Sequence, residues 1–173
     1  MRLTNCQKLL VMGISGAGKT HFSRQLAALT RLPLYHMDSI IWGAHWAEID
    51  ETIVQQKLDA LAQTNGWIIE GWIDWYSRAI IASADAVIYL DFPGWLAVWG
   101  GLQRWFRHRK SGRPELPPGC HETWDWGYLR VMYNRAERSH IEAMLAESMP
   151  KQLIRVTSRR AANALLKESM GRG

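Results

Sequence analysis

The run Gly13-Ile14-Ser15-Gly16-Ala17-Gly18-Lys19-Thr20 constrains this chain more than any other eight residues. It matches the phosphate-binding loop pattern in full. It stands between a short apolar run, 8–12, and a segment, 19–30, in which Phe22, Leu26 and Leu29 recur at helical spacing. Strand, glycine-rich turn and helix in that order bring backbone N–H groups at a helix amino terminus to bear on an anion. Gly13, Ser15, Gly16, Ala17 and Gly18 then cradle phosphates, with His21 beside them, and Lys19 neutralises the β/γ charge. Thr20 offers its hydroxyl to Mg²⁺, so ATP and Mg²⁺ are the expected cofactors.

The rest of the chain repeats the alternation. Short apolar runs at 34–37, 67–69, 86–90 and 151–157 read as four further strands, and helical patterns lie between them. Asp50 caps a helix carrying Ile53, Val54, Leu58 and Leu61, which Thr64-Asn65-Gly66 ends, and Ser158 caps a closing helix. Such alternation predicts a parallel α/β sheet with ligands outside the carboxyl ends of the strands. Asp38, Glu70 and Asp91 each follow a strand, so all three are expected in the cleft of the loop. Asp38 is assigned to the acceptor, to orient or deprotonate a hydroxyl, and Glu70 with Thr20 to the metal. Asp91, before Phe92-Pro93, also reads as a strand-terminating cap.

Cations are the third element. Arg104, Arg107, Arg109, Lys110 and Arg113 fall within ten residues that contain no acid, at the entrance to a Pro/Gly-rich insert, 110–125. Arg135 and Arg138 lie one turn apart on the helix expected after it. An insert of that length reads as a lid, and Arg109, Arg113 and Arg135 are the expected neutralisers of a transferring phosphoryl group. Arg104 and Arg159 are expected on the nucleotide. Of ten tryptophans, Trp42, Trp46, Trp72, Trp75, Trp124 and Trp126 stand beside polar or turn residues as candidate cleft walls. Trp95, Trp99 and Trp105 read as helix packing.

Gly13 to Thr20, Tyr35-His36-Met37-Asp38 with Trp42 and Trp46, Trp67-Ile68-Ile69-Glu70-Gly71 and Ala84 to Pro93 together resemble the adenylate-kinase-related family of FlaR-type DNA topology modulation proteins. Arg113-Pro114, Gly119-Cys120, Trp124-Asp125-Trp126 and Tyr133-Asn134 look like that family's lid and following helix. The resemblance implies a three-layer P-loop NTPase fold of nucleotide-kinase type. Its five-stranded parallel sheet would have the order 2-3-1-4-5 and carry a short lid. This chain departs after the third strand, with Glu70-Gly71-Trp72-Ile73 in place of Asp-Gly-Asn-Tyr. Adenylate kinases place an acceptor-phosphate arginine soon after that strand. Arg78 stands too far along, so AMP is not the expected acceptor.

The chain has 173 residues, 47% hydrophobic and 21% charged, which fits one globular domain, 1–173, with an acceptor-side segment 38–64 and a lid 107–126. No run is apolar and long enough for a membrane span, and the polar start predicts a cytoplasmic protein. Two cysteines build no disulfide framework. The expected function is ATP-dependent phosphoryl transfer to a small hydroxyl or phosphate compound, a nucleoside or nucleotide among them. The net charge of +5 keeps two alternatives open: a nucleotide-dependent nucleic-acid-binding regulator and a slow ATPase.

Overall fold

The apolar runs assemble as expected into one parallel sheet. The computed structural model describes residues 2–122 and 125–170. Strands β1 (Lys8–Gly13), β2 (Leu34–His36), β3 (Trp67–Gly71), β4 (Ala86–Leu90) and β5 (Leu153–Val156) lie in the order β2-β3-β1-β4-β5. That is the order implied by the resemblance. The central strands are apolar without alternation because both of their faces are covered. Leu10 pairs with Ile69 on one side and Val87 on the other, and all three are fully buried. β5 is shorter than 151–157, and its Leu153 and Arg155 are exposed at the sheet edge.

Helices cover both faces. Helix α1 (Lys19–Thr30) packs on β1, β2 and β3, and α8 (Arg159–Met170) lies against it. Parallel crossovers are right-handed, so the step from β1 out to β2 and the step from β3 back to β4 carry their helices to opposite faces. The second set is α3 (Glu51–Gln63), α4 (Arg78–Ser83) and α7 (Arg138–Ser148), with α4 packed on both others. Asp50 caps α3 as expected, its Oδ1 accepting from the Thr52 N–H at 2.9 Å.

Three expectations are corrected. Met37 leaves the second strand and opens a short helix, α2 (Met37–Ile41), which puts Asp38 in its first turn. Arg135 and Arg138 do not share a helix. Helix α6 (Trp126–Asn134) ends where Arg135 turns left-handed (φ 56°), its N–H bonding the Met132 and Val131 carbonyls, and α7 starts anew at Arg138. Trp95 and Trp99 on α5 (Gly94–His108) are 62% and 52% exposed rather than packed. The buried face of α5 is built from Gly94, Ala97 and Gly101, small residues that let other backbones approach, so the bulky side chains face out.

One of those approaches fixes the phosphate loop. A Cβ built on Gly100 would stand 2.1 Å from the Gly16 carbonyl oxygen, and one on Gly16 (φ +77°) 2.1 Å from the Ala97 carbonyl oxygen. In an open helix Gly→Ala stabilises by roughly 0.5–1 kcal/mol. Gly100→Ala is expected to do the opposite, losing about 1–3 kcal/mol to overpacking, read as a lower midpoint in urea unfolding.

Candidate active site

Residues 15–20 line a cavity of about 910 Å³. Gly18 caps α1 in the left-handed region (φ +86°), with open space where a side chain would stand. Its requirement is therefore conformational, and the space above it is available to a ligand. Lys19 Nζ donates to the Gly13 and Ile14 carbonyls at 2.9 and 3.2 Å, which holds the ammonium against the loop. Burial pushes the Lys19 pKa below its ordinary value, opposed by the carboxylates of Glu70, Glu137 and Asp38.

The fit to a nucleotide is testable on two features of the cavity. A carboxylate already rests on the loop: the Ser15 N–H donates to Glu137 Oε2 at 2.7 Å. An amide of this loop therefore points at an anion, as phosphate binding needs. The second feature is the Thr20 hydroxyl, which donates to Glu70 Oε1 at 2.9 Å. The same oxygen lies 2.6 Å from His36 Nδ1, so the carboxylate is held from behind. A hydroxyl beside a carboxylate is the oxygen donor set a hard cation prefers. Among the described residues no cluster of three or more His, Cys, Asp or Glu is arranged to hold a metal alone. Phosphate oxygens would have to complete the shell, which is how Mg²⁺ is usually bound.

The arginines enter from above. Arg113 Nη2 lies 3.1 Å from Asp38 Oδ2, and Arg113 Nε and Arg104 Nε lie 2.9 and 3.0 Å from Glu122 Oε1. These last contacts have ion-pair distance without hydrogen-bond alignment, leaving both Nε groups and the oxygen buried and unsatisfied. Donors in that state gain most from a new acceptor placed in line.

The insert is clasped to the segment after α2. His45 N–H donates to the Pro118 carbonyl at 3.0 Å and Trp46 Nε1 to the His121 carbonyl at 3.2 Å. The buried Cys120 sulfur receives the Trp46 N–H at 3.3 Å and faces the Gly43 carbonyl at 3.4 Å. His45 and Trp46 both adopt positive φ, 57° and 60°, an uncommon state for non-glycine residues. Arg24 and Glu115 close the far side at 3.1 Å.

Among the expected site residues, Ser15 to His21, Asp38, Glu70, Arg104, Arg113 and Arg159 line the cavity, whereas Gly13, the last residue of β1, does not. Arg107, Trp42, Trp46, Trp72 and Trp105 line it too, whereas Trp75 and Trp126 do not; Trp124 lies outside the described residues. Asp91 does not line it. Its buried carboxylate is enclosed by Arg135, Arg138 and Arg155, with Glu142 bridging to Arg155 at 2.6 Å. Arg135 is thereby turned away from the loop. Arg109 stacks over Trp105 and Phe106, 5.0 and 5.3 Å from the ring centres, and also stays outside. Sequence reasoning missed Glu122, Glu137 and Tyr76. Glu122 and Glu137 sit apart from any motif, and Tyr76 carried a signal only as an aromatic soon after β3.

No family model matches the chain, and no curated protein does. Solved structures do. A shikimate kinase from Acinetobacter baumannii in complex with shikimate is 18% identical, covers 96% of this chain and 92% of its own, and has a TM-score of 0.63. A shikimate kinase from Bacteroides thetaiotaomicron is 13% identical (94% of this chain, 96% of its own, TM-score 0.56). A sugar kinase from a Janibacter species is 15% identical (95% and 92%, TM-score 0.54). At these identities the fold is what is shared: a P-loop kinase fold with sheet order 2-3-1-4-5. The FlaR-type resemblance has no counterpart among these matches. No helix of the described residues is long and apolar enough to cross a membrane.

Glu137 occupies a loop amide that a phosphate would claim. Glu137→Gln removes its charge, so ATP is expected to bind several-fold more tightly, roughly 1 kcal/mol, measured by calorimetry without an acceptor.

Proposed function

We propose that this chain is a P-loop kinase that transfers the γ-phosphoryl group of ATP to the hydroxyl of a small acceptor. The reading rests on one observation: Lys19 of the phosphate loop and the Asp38–Arg113 pair line the same cavity. The whole chain, 1–173, works as one unit, with 38–64 on the acceptor side and 107–126 as the lid. The kinases that share its fold support the reaction class. The first of them, solved with shikimate, supports a small hydroxylated acceptor.

The loop amides and Lys19 hold the β- and γ-phosphates, and Arg159 on α8 flanks the nucleotide. Thr20 and Glu70 would hold Mg²⁺, which would supply charge neutralisation at the phosphate oxygens. Asp38 accepts the acceptor's hydroxyl proton as the oxygen attacks the γ-phosphorus. The new P–O bond forms as the β–γ bridging bond breaks, and its electrons leave on ADP. Arg104 and Arg113, whose Nε groups lack aligned partners, turn to the oxygens of the moving group. The clasped insert excludes water, which would otherwise hydrolyse ATP. Catalysis is then positioning and electrostatics, the terms that dominate phosphoryl transfer.

A nucleic-acid surface built on the same arginines is less well supported, because Arg104 and Arg113 point into the cavity and are held by carboxylates. Lys19→Ala is expected to lower kcat/KM for ATP at least roughly 100-fold. Asp38→Asn should lower kcat by roughly 100-fold or more while ATP binding persists. Coupled ADP release across nucleosides, sugars and other small alcohols tests both. An Asp38→Asn enzyme with full transfer would remove Asp38 from the chemistry.

A further inference from the structure

The acceptor side of the cavity follows β2 and β3, and Asp38, Trp42, Trp46, Trp72 and Tyr76 all line the cavity. The two segments that supply these residues, 37–56 and 71–77, contain no lysine or arginine, yet they carry Asp38, Glu48, Asp50, Glu51 and Asp74. Arg78, the next cation along, pairs with Glu147 at 2.8 Å and does not line the cavity. Of the guanidiniums that line the cavity, the one paired with Asp38 is Arg113, whose side chain is 9% exposed and shared with Glu122. A carboxylate or phosphate seated here would meet acids and aromatic faces, and would have to compete with Asp38 and Glu122 for the charge of Arg113.

A different acceptor would be well served. Tyr76 is 8% exposed and lines the cavity, and its hydroxyl makes no hydrogen bond to the described residues. Burial, with Asp74, Glu51 and Asp38 nearby, pushes its pKa up to about 12, so it is a neutral O–H donor across the working pH range. Trp42 and Trp46 meet edge to face, 5.6 Å between ring centres, and Trp72 is held by stacking on His140 at 5.0 Å. Rigid aromatic walls with one buried donor suit a flat or apolar body that carries hydroxyls.

We infer that the acceptor is an alcohol without an anionic group, its body seated between Trp42 and Trp72, with the Tyr76 hydroxyl donating to it and Asp38 at the hydroxyl that reacts. The inference rests on the kinase reading for the reaction but not for the binding preference. It separates this chain from a fold neighbour solved with shikimate, which is a carboxylic acid.

Matched pairs test it: each of the common nucleosides against its 5′-monophosphate, and methyl shikimate against shikimate. Each is measured on the full chain with Mg²⁺ by ADP release, and by tryptophan fluorescence titration in the presence of Mg·ADP. The expected result is that the neutral member of a pair binds and turns over at least ten-fold better. Tyr76→Phe should weaken that neutral member several-fold. Trp72→Arg should shift the preference toward the anionic member. Selective binding of neutral members without turnover would keep this inference and sink the kinase reading. Anionic members that bind equally or better, or failure of every neutral member to bind at millimolar concentration, would overturn the inference itself.

Discussion

The cavity is set out from a contact between two pieces of backbone, the Gly16 carbonyl against Gly100 in the middle of α5. Close-packed backbone has no rotamers with which to relax, so the loop's position is tied to α5 more firmly than side-chain packing would tie it. Through α5 the same contact sets where Arg104 begins and where the insert leaves the fold. The sheet contributes the other reference: β1 lies between β3 and β4, which brings Thr20 within reach of Glu70.

Glu70 illustrates how the two references combine. It occupies the register position opposite Val11, near the carboxyl end of β3, and is buried with one oxygen shared between Thr20 and His36. A carboxylate that deep persists because both neighbours are fixed, His36 by β2 and Thr20 by the first turn of α1 after β1. His36 is the last residue of β2 and pairs with Glu70 across the ladder. Two strands and the helix that follows β1 therefore converge on one oxygen, and a slip in either ladder would separate the groups.

Features encoded locally were legible in the sequence. Strand β1, the glycines of the loop, α1 and the cap at Asp50 each follow from residues within one turn of each other, and all appear as read. The failures have a common cause, since each depends on which residues meet through the fold. Asp91 had the same strand-end position as Glu70, but three arginines from α7, β5 and the α6–α7 turn reach it first. Trp95 and Trp99 had the spacing of a packed stripe, and only the Gly94, Ala97 and Gly101 face of α5 reveals which side is turned in. Glu137 and Glu122 look like surface acids until the loop amide and the arginines are placed beside them.

The clasp joins Pro118, Cys120 and His121 of the insert to the Gly43–Trp46 turn, so two segments distant in sequence share one set of contacts. Any movement of the insert away from this turn has to break these few contacts together. His45 and Trp46, the two residues of that turn with positive φ, are held in this uncommon backbone state by the same contacts. A turn held in an uncommon backbone state by contacts to another segment is a latch with a spring behind it.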